Sequence, residues 1–70
     1  MLKPGRTYRF RLRAPRALDV AVIAGDQWTH LARDGEEFSG TVPAVAGDNV
    51  VFAKYDATSK LVGLLKYVGR

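Results

Sequence analysis

Apolar and polar side chains alternate with a period of two along most of this chain, and that period restricts it to strands. Thr7-Tyr8-Arg9-Phe10-Arg11-Leu12-Arg13 alternates strictly. Tyr8, Phe10 and Leu12 are predicted to face a core, and Thr7, Arg9, Arg11 and Arg13 to face water, as in a half-buried strand. Ala14-Pro15 ends the run, because proline cannot donate to a ladder and restricts the residue before it. Further strands are predicted over residues 18–24, 27–33, 36–42, 50–55 and 61–68. Gly25-Asp26 and Ala46-Gly47-Asp48-Asn49 read as turns, and residues 56–60 as a polar loop. Asp34-Gly35 reads as a two-residue type I′ hairpin turn. Pro43 closes the fourth strand.

Six or seven short strands with turns every eight to twelve residues predict an all-β fold, a small antiparallel sandwich or barrel. The expected core is Tyr8, Phe10, Leu12, Val20, Val22, Trp28, Leu31, Phe38, Val42, Val51, Ala53, Leu65 and Tyr67. The chain has 70 residues, enough for one domain, predicted over 7–68 after an irregular segment at 1–6. A domain this small buries only about 60% of its unfolded surface, so its core is thin. With no cysteine and one histidine, disulfides, thiolate chemistry and the usual structural zinc sets are excluded. No apolar run approaches the ~18 residues of a membrane-spanning helix, and membrane insertion is not expected.

Charge is uneven. Residues 1–18 carry six basic side chains and no acid, while 19–70 carry five basic and seven acidic ones. Arg9, Arg11 and Arg13 form a row with a spacing of ~6.6–7 Å on one strand face. That spacing suits the phosphates of an extended nucleic acid. It equally suits a solvated face that guards an edge strand, or an ion-paired contact with an acidic neighbouring domain. Aromatic interleaving is missing, since Tyr8 and Phe10 point to the opposite face. Trp28 reads first as core and otherwise as a ligand platform for a partner or a carbohydrate. His30 has no sequence neighbours that complete a catalytic set, and the seven acids fall mainly at turns. No catalytic residue, cofactor or metal is expected.

Three segments together resemble the early-set immunoglobulin-like domains. The stretch from Phe10 to Val22, with Ala14-Pro15 at its centre, is similar to the first two strands of that pattern. Trp28-Thr29-His30-Leu31, Gly35 and Phe38-Ser39-Gly40-Thr41-Val42 resemble its middle. Val50-Val51-Phe52-Ala53-Lys54-Tyr55 and Gly63-Leu64-Leu65-Lys66-Tyr67 resemble the ending of the subgroup found beside transglutaminase-like domains of the kyphoscoliosis-peptidase type. The resemblance implies a non-catalytic accessory or interaction module whose partner is a neighbouring domain or another protein. Gly47-Asp48-Asn49-Val50-Val51, Tyr55-Asp56 and Gly63 also resemble the last strands of the one-domain bacterial translation initiation factor. That resemblance implies an OB-fold nucleic-acid binder using Arg9, Arg11 and Arg13.

Overall fold

Each alternating run becomes strand in the computed structural model, which describes residues 1–58 and 60–70. The strands are β1 (Thr7–Arg13), β2 (Asp19–Ala24), β3 (Gln27–His30), β4 (Ala32–Asp34), β5 (Glu37–Pro43), β6 (Gly47–Lys54) and β7 (Val62–Gly69). They form two antiparallel sheets, β1-β5-β4 and β3-β2-β6-β7. The chain is a small all-β sandwich, and the barrel alternative is set aside. Of the polar loop expected over 56–60, Ser59 lies outside the described residues.

The connections follow from local chemistry. Ala14-Pro15-Arg16-Ala17 is a turn closed by Ala17 N–H donating to the Ala14 carbonyl at 3.1 Å, with proline pre-set at its second position. It carries the chain from β1 in one sheet to β2 in the other. The β4–β5 loop is Gly35-Glu36, not Asp34-Gly35, because Asp34 still pairs with Glu37. Only Gly35 takes a positive φ, 62°, so the turn has glycine at its first central position and needs no left-handed aspartate. The strand expected over 27–33 divides at Leu31. Its first half pairs with β2 and its second with β5, and Leu31 is buried at the crossing with its N–H on the Val20 carbonyl at 2.8 Å.

Val20, Val22, Val51 and Ala53 from the four-stranded sheet meet Phe38 and Val42 from the other, with Ala14, Ala17 and Leu31 beside them. Phe10 and Leu12 pack against this cluster and are only partly buried. Tyr8 is likewise half-buried, and three expected core residues are exposed: Trp28 at 54%, Leu65 at 49% and Tyr67 at 37%. Trp28 lies opposite Ile23, on the outer face of its sheet. Leu65 and Tyr67 do face inward, opposite the buried Val51 and Asn49, but they belong to an edge strand that the narrower sheet covers only in part. A bulge at Leu64 shifts the register, so Gly63 sits opposite Phe52 on the outer face while Leu65 stays inside.

Asn49, expected in a turn, is the one buried polar side chain among the described residues. Its Oδ1 accepts Val45 N–H at 2.9 Å, and its Nδ2 donates to the carbonyls of Val45, Gly47 and Tyr67 at 3.0, 3.3 and 3.3 Å. It ties the loop before β6 to β7. Gly69 completes this junction, because a Cβ there would lie 1.9 Å from the Val45 carbonyl oxygen.

Candidate functional site

Arg9, Arg11 and Arg13 stand in a row on the outer face of β1, as alternation requires. Their cross-strand neighbours on β5 are Thr41, Ser39 and Glu37. Arg11 clasps Glu37 side-on, with Nη2 to Oε1 at 2.9 Å and Nε to Oε2 at 3.3 Å. The hydrogen bond from Arg11, and then its charge, hold the Glu37 carboxyl below the ordinary glutamate range, and Glu37 in turn raises Arg11. Arg13 pairs with Glu36, Nε to Oε2 at 2.8 Å. Among the described residues no carboxylate lies within ion-pair reach of Arg9. Two of the three arginines are therefore already engaged by the β4–β5 hairpin, and the row offers one unpaired cation to a ligand.

β1 is also an edge. Ala14 N–H bonds the Glu36 carbonyl and Ala44 N–H bonds the Arg6 carbonyl, both at 2.9 Å. In an antiparallel ladder the hydrogen-bonded pairs recur every second residue. Residues 8, 10 and 12 thus use their backbone groups toward β5. The N–H and C=O groups of Thr7, Arg9, Arg11 and Arg13 point away from it, toward the open side. Beneath that edge runs a groove of about 210 Å3 lined by Tyr8, Phe10, Leu12, Val51, Leu65 and Tyr67, with Leu2 at one end. Phe10 meets Tyr67 edge-to-face, ring centroids 5.7 Å apart.

Trp28 belongs to a different surface, the outer face of the four-stranded sheet. Register places Trp28 beside Ile23, His30 beside Ala21, Ala21 beside Phe52, and Asp19 beside Lys54. Phe52 lies over Gly63, where a Cβ would meet the ring edge at 3.6 Å, an ordinary contact distance. A shallow groove of about 270 Å3 runs between Trp28, Phe52 and Leu61, rimmed by His30, Asp19 and Lys54. His30 Nδ1 donates to Asp19 Oδ2 at 2.8 Å, and Asp19 Oδ1 accepts Val20 N–H at 2.9 Å. The pair braces β3 against β2 at an exposed rim. Among the described residues no three His, Asp or Glu side chains gather to hold a metal ion.

Sequence reading puts the arginine row on an outer face, takes Trp28 first as core, and misses the members contributed by register. Phe52 and Asp19 join Trp28 and His30 only through the β2–β3 and β2–β6 pairings. The tight Gly25-Asp26 turn was a usable signal, since it sets Ala24 opposite Gln27 and hence Ala21 opposite His30. Comparison with protein-family models, with curated proteins and with solved structures returned no match.

Proposed function

We propose that this chain is a non-catalytic interaction module, an immunoglobulin-like sandwich of early-set type that works beside another domain of a larger protein. The strand order supports the immunoglobulin-like reading. Constant-type domains of that fold set strands A, B, E and D against C, F and G, and variable-type domains add C′ beside C. With β1 to β7 taken as B, C, C′, D, E, F and G, the sheets β1-β5-β4 and β3-β2-β6-β7 read B-E-D and C′-C-F-G, the same order without strand A. The resemblance noted above supports a neighbour of the transglutaminase-like kind, whose catalytic cysteine would belong to that neighbour, since this chain has none.

The observation that carries the interaction reading is Trp28, 54% exposed above the Phe52–Leu61 groove. An aromatic anchor over an apolar centre, with charged groups at the rim, is the anatomy of a protein contact. The occupant we assign to it is a folded neighbouring domain. Sequencing the surrounding open reading frame, then titrating the adjoining domain into this chain while following Trp28 emission, tests the reading. A blue shift that Trp28→Ala removes, with affinity lost on the order of tenfold or more, is expected. An open reading frame confined to these residues, or an adjoining domain that leaves Trp28 emission unmoved, refutes it. A response to a glycan panel instead would assign the platform to carbohydrate.

A further inference from the structure

The two ends of the four-stranded sheet are treated differently. At the β3 end the inward-facing residues are Gln27 and Thr29, which tolerate water. At the β7 end they are Leu65 and Tyr67, which do not, yet they stand 49% and 37% exposed. The opposing sheet is one strand narrower and stops at β1, so β7 is covered only where Phe10 reaches Tyr67. One strand added to β1 would cover both residues. The backbone of β1 is ready for it, with the N–H and C=O groups of Arg9, Arg11 and Arg13 turned to the open side. Leu2 occupies only the end of this space, bridging to Gly69 with its N–H on the Val68 carbonyl at 3.0 Å.

The edge also dictates what the added strand must contain. Residues of an incoming antiparallel strand that exchange hydrogen bonds with Arg9, Arg11 and Arg13 share their face, so those side chains meet the arginine row. Residues between them face inward, across from Phe10 and Leu12, and drop into the groove above Leu65 and Tyr67. A second copy of this chain does not fit, because β1 against β1 would oppose arginine to arginine. We propose that the β1 edge binds an extended segment of a partner protein in which acidic and apolar residues alternate, by strand addition over residues 9–13. Arg9 supplies the unpaired charge, and Arg11 and Arg13, bound to their glutamates through Nε and Nη2, keep Nη1 as a donor for the newcomer. This edge lies apart from the Trp28 surface, so the two readings fail separately.

The test uses the folded chain and a blocked peptide of four glutamates alternating with three leucines, at neutral pH and low salt, followed by amide chemical shifts. Shifts are expected along β1 and at Leu65 and Tyr67, with Trp28 unmoved. Methylating the glutamate backbone nitrogens, which face β1, should abolish binding. Methylating the leucine nitrogens, which face away, should leave it within about twofold. Arg9→Glu should weaken binding on the order of tenfold, and Leu65→Asp by a similar factor, with circular dichroism confirming that both variants fold. Replacing glutamate by lysine in the peptide should also abolish it. No shift at millimolar peptide, equal binding of the two methylated peptides, or a single-stranded oligonucleotide that binds where the peptide does not would each overturn the proposal.

Discussion

Asn49 is where this thin sandwich is most exposed to a single change. Truncation to alanine removes the acceptor of Val45 N–H and the donor shared by the carbonyls of Val45, Gly47 and Tyr67. An orphaned buried donor alone costs about 1–3 kcal/mol. With lost packing at a side chain 1% exposed, Asn49→Ala should cost about 2–4 kcal/mol. A domain of this length has only about 4–10 kcal/mol of stability in all. At roughly 4–8 °C per kcal/mol, Tm should fall by about 8–32 °C. Asn49→Asp sharpens the argument because it keeps the shape. One carboxylate oxygen can still accept Val45 N–H, but the other then faces three carbonyl oxygens and needs a proton. Burial and those carbonyls raise the native pKa of the new acid above its unfolded value. The native state then binds more protons than the unfolded one, so this variant loses stability as pH rises above the ordinary aspartate range and through the raised native value. Urea and thermal unfolding followed by circular dichroism across pH measure both effects. An alanine variant within ~0.5 kcal/mol of the parent, or an aspartate variant that gains stability with rising pH, refutes the reasoning.

Phe38, 2% exposed at the centre of the core, should cost about 3–5 kcal/mol as alanine and leave the chain near its unfolding limit, read as the urea midpoint. Glu37 contributes stability that is present above the ordinary glutamate range and lost as pH falls through its lowered native value. Glu37→Gln should therefore flatten the acid limb of the Tm–pH profile at low salt, and the difference should shrink at high salt. Arg33→Lys should lower Tm measurably although the charge is kept. Lysine cannot reproduce the guanidinium stacked 5.5 Å from the Phe38 ring centroid while bonding the carbonyls of Ala17 and Gly35 at 3.1 and 3.0 Å.

How much of this was readable in advance depends on whether the cause was local. β1 was legible to the residue, because its alternation and its terminating proline are both local. The division of residues 27–34 between two sheets was not, since it depends on where Leu31 meets Val20 across the sandwich. A clue was present all the same. Trp28 and Leu31 differ in parity, so one continuous strand could not turn both inward. Asn49 was misread because Gly47-Asp48-Asn49 has turn composition, whereas its side chain completes a turn four residues upstream from within a strand. Leu65 and Tyr67 were placed on the correct face, and their exposure follows from the unequal width of the sheets, which no single strand reports. The arginine row was legible as a row, but its neutralisation by Glu36 and Glu37 depended on the hairpin folding back beside β1.

The two edges of the three-stranded sheet show opposite solutions to one problem. An unpaired edge invites another strand, and an inward-pointing charge is one way to refuse it. On β4, Arg33 is the residue opposite Phe38, so its side chain turns in over the ring. It spends its donors on the carbonyls of Pro15, Ala17 and Gly35. A strand added there would have to displace a guanidinium that the fold itself uses. On β1 the arginines turn outward instead, and the inward positions are Tyr8, Phe10 and Leu12. Such an edge still repels its own copy by charge, but it puts no obstacle before an acidic strand and leaves apolar surface for it to cover. Half of the six basic residues of the first 18 stand on this edge, and with Glu37 and Glu36 on Arg11 and Arg13 it is Arg9 that is left to choose between partners.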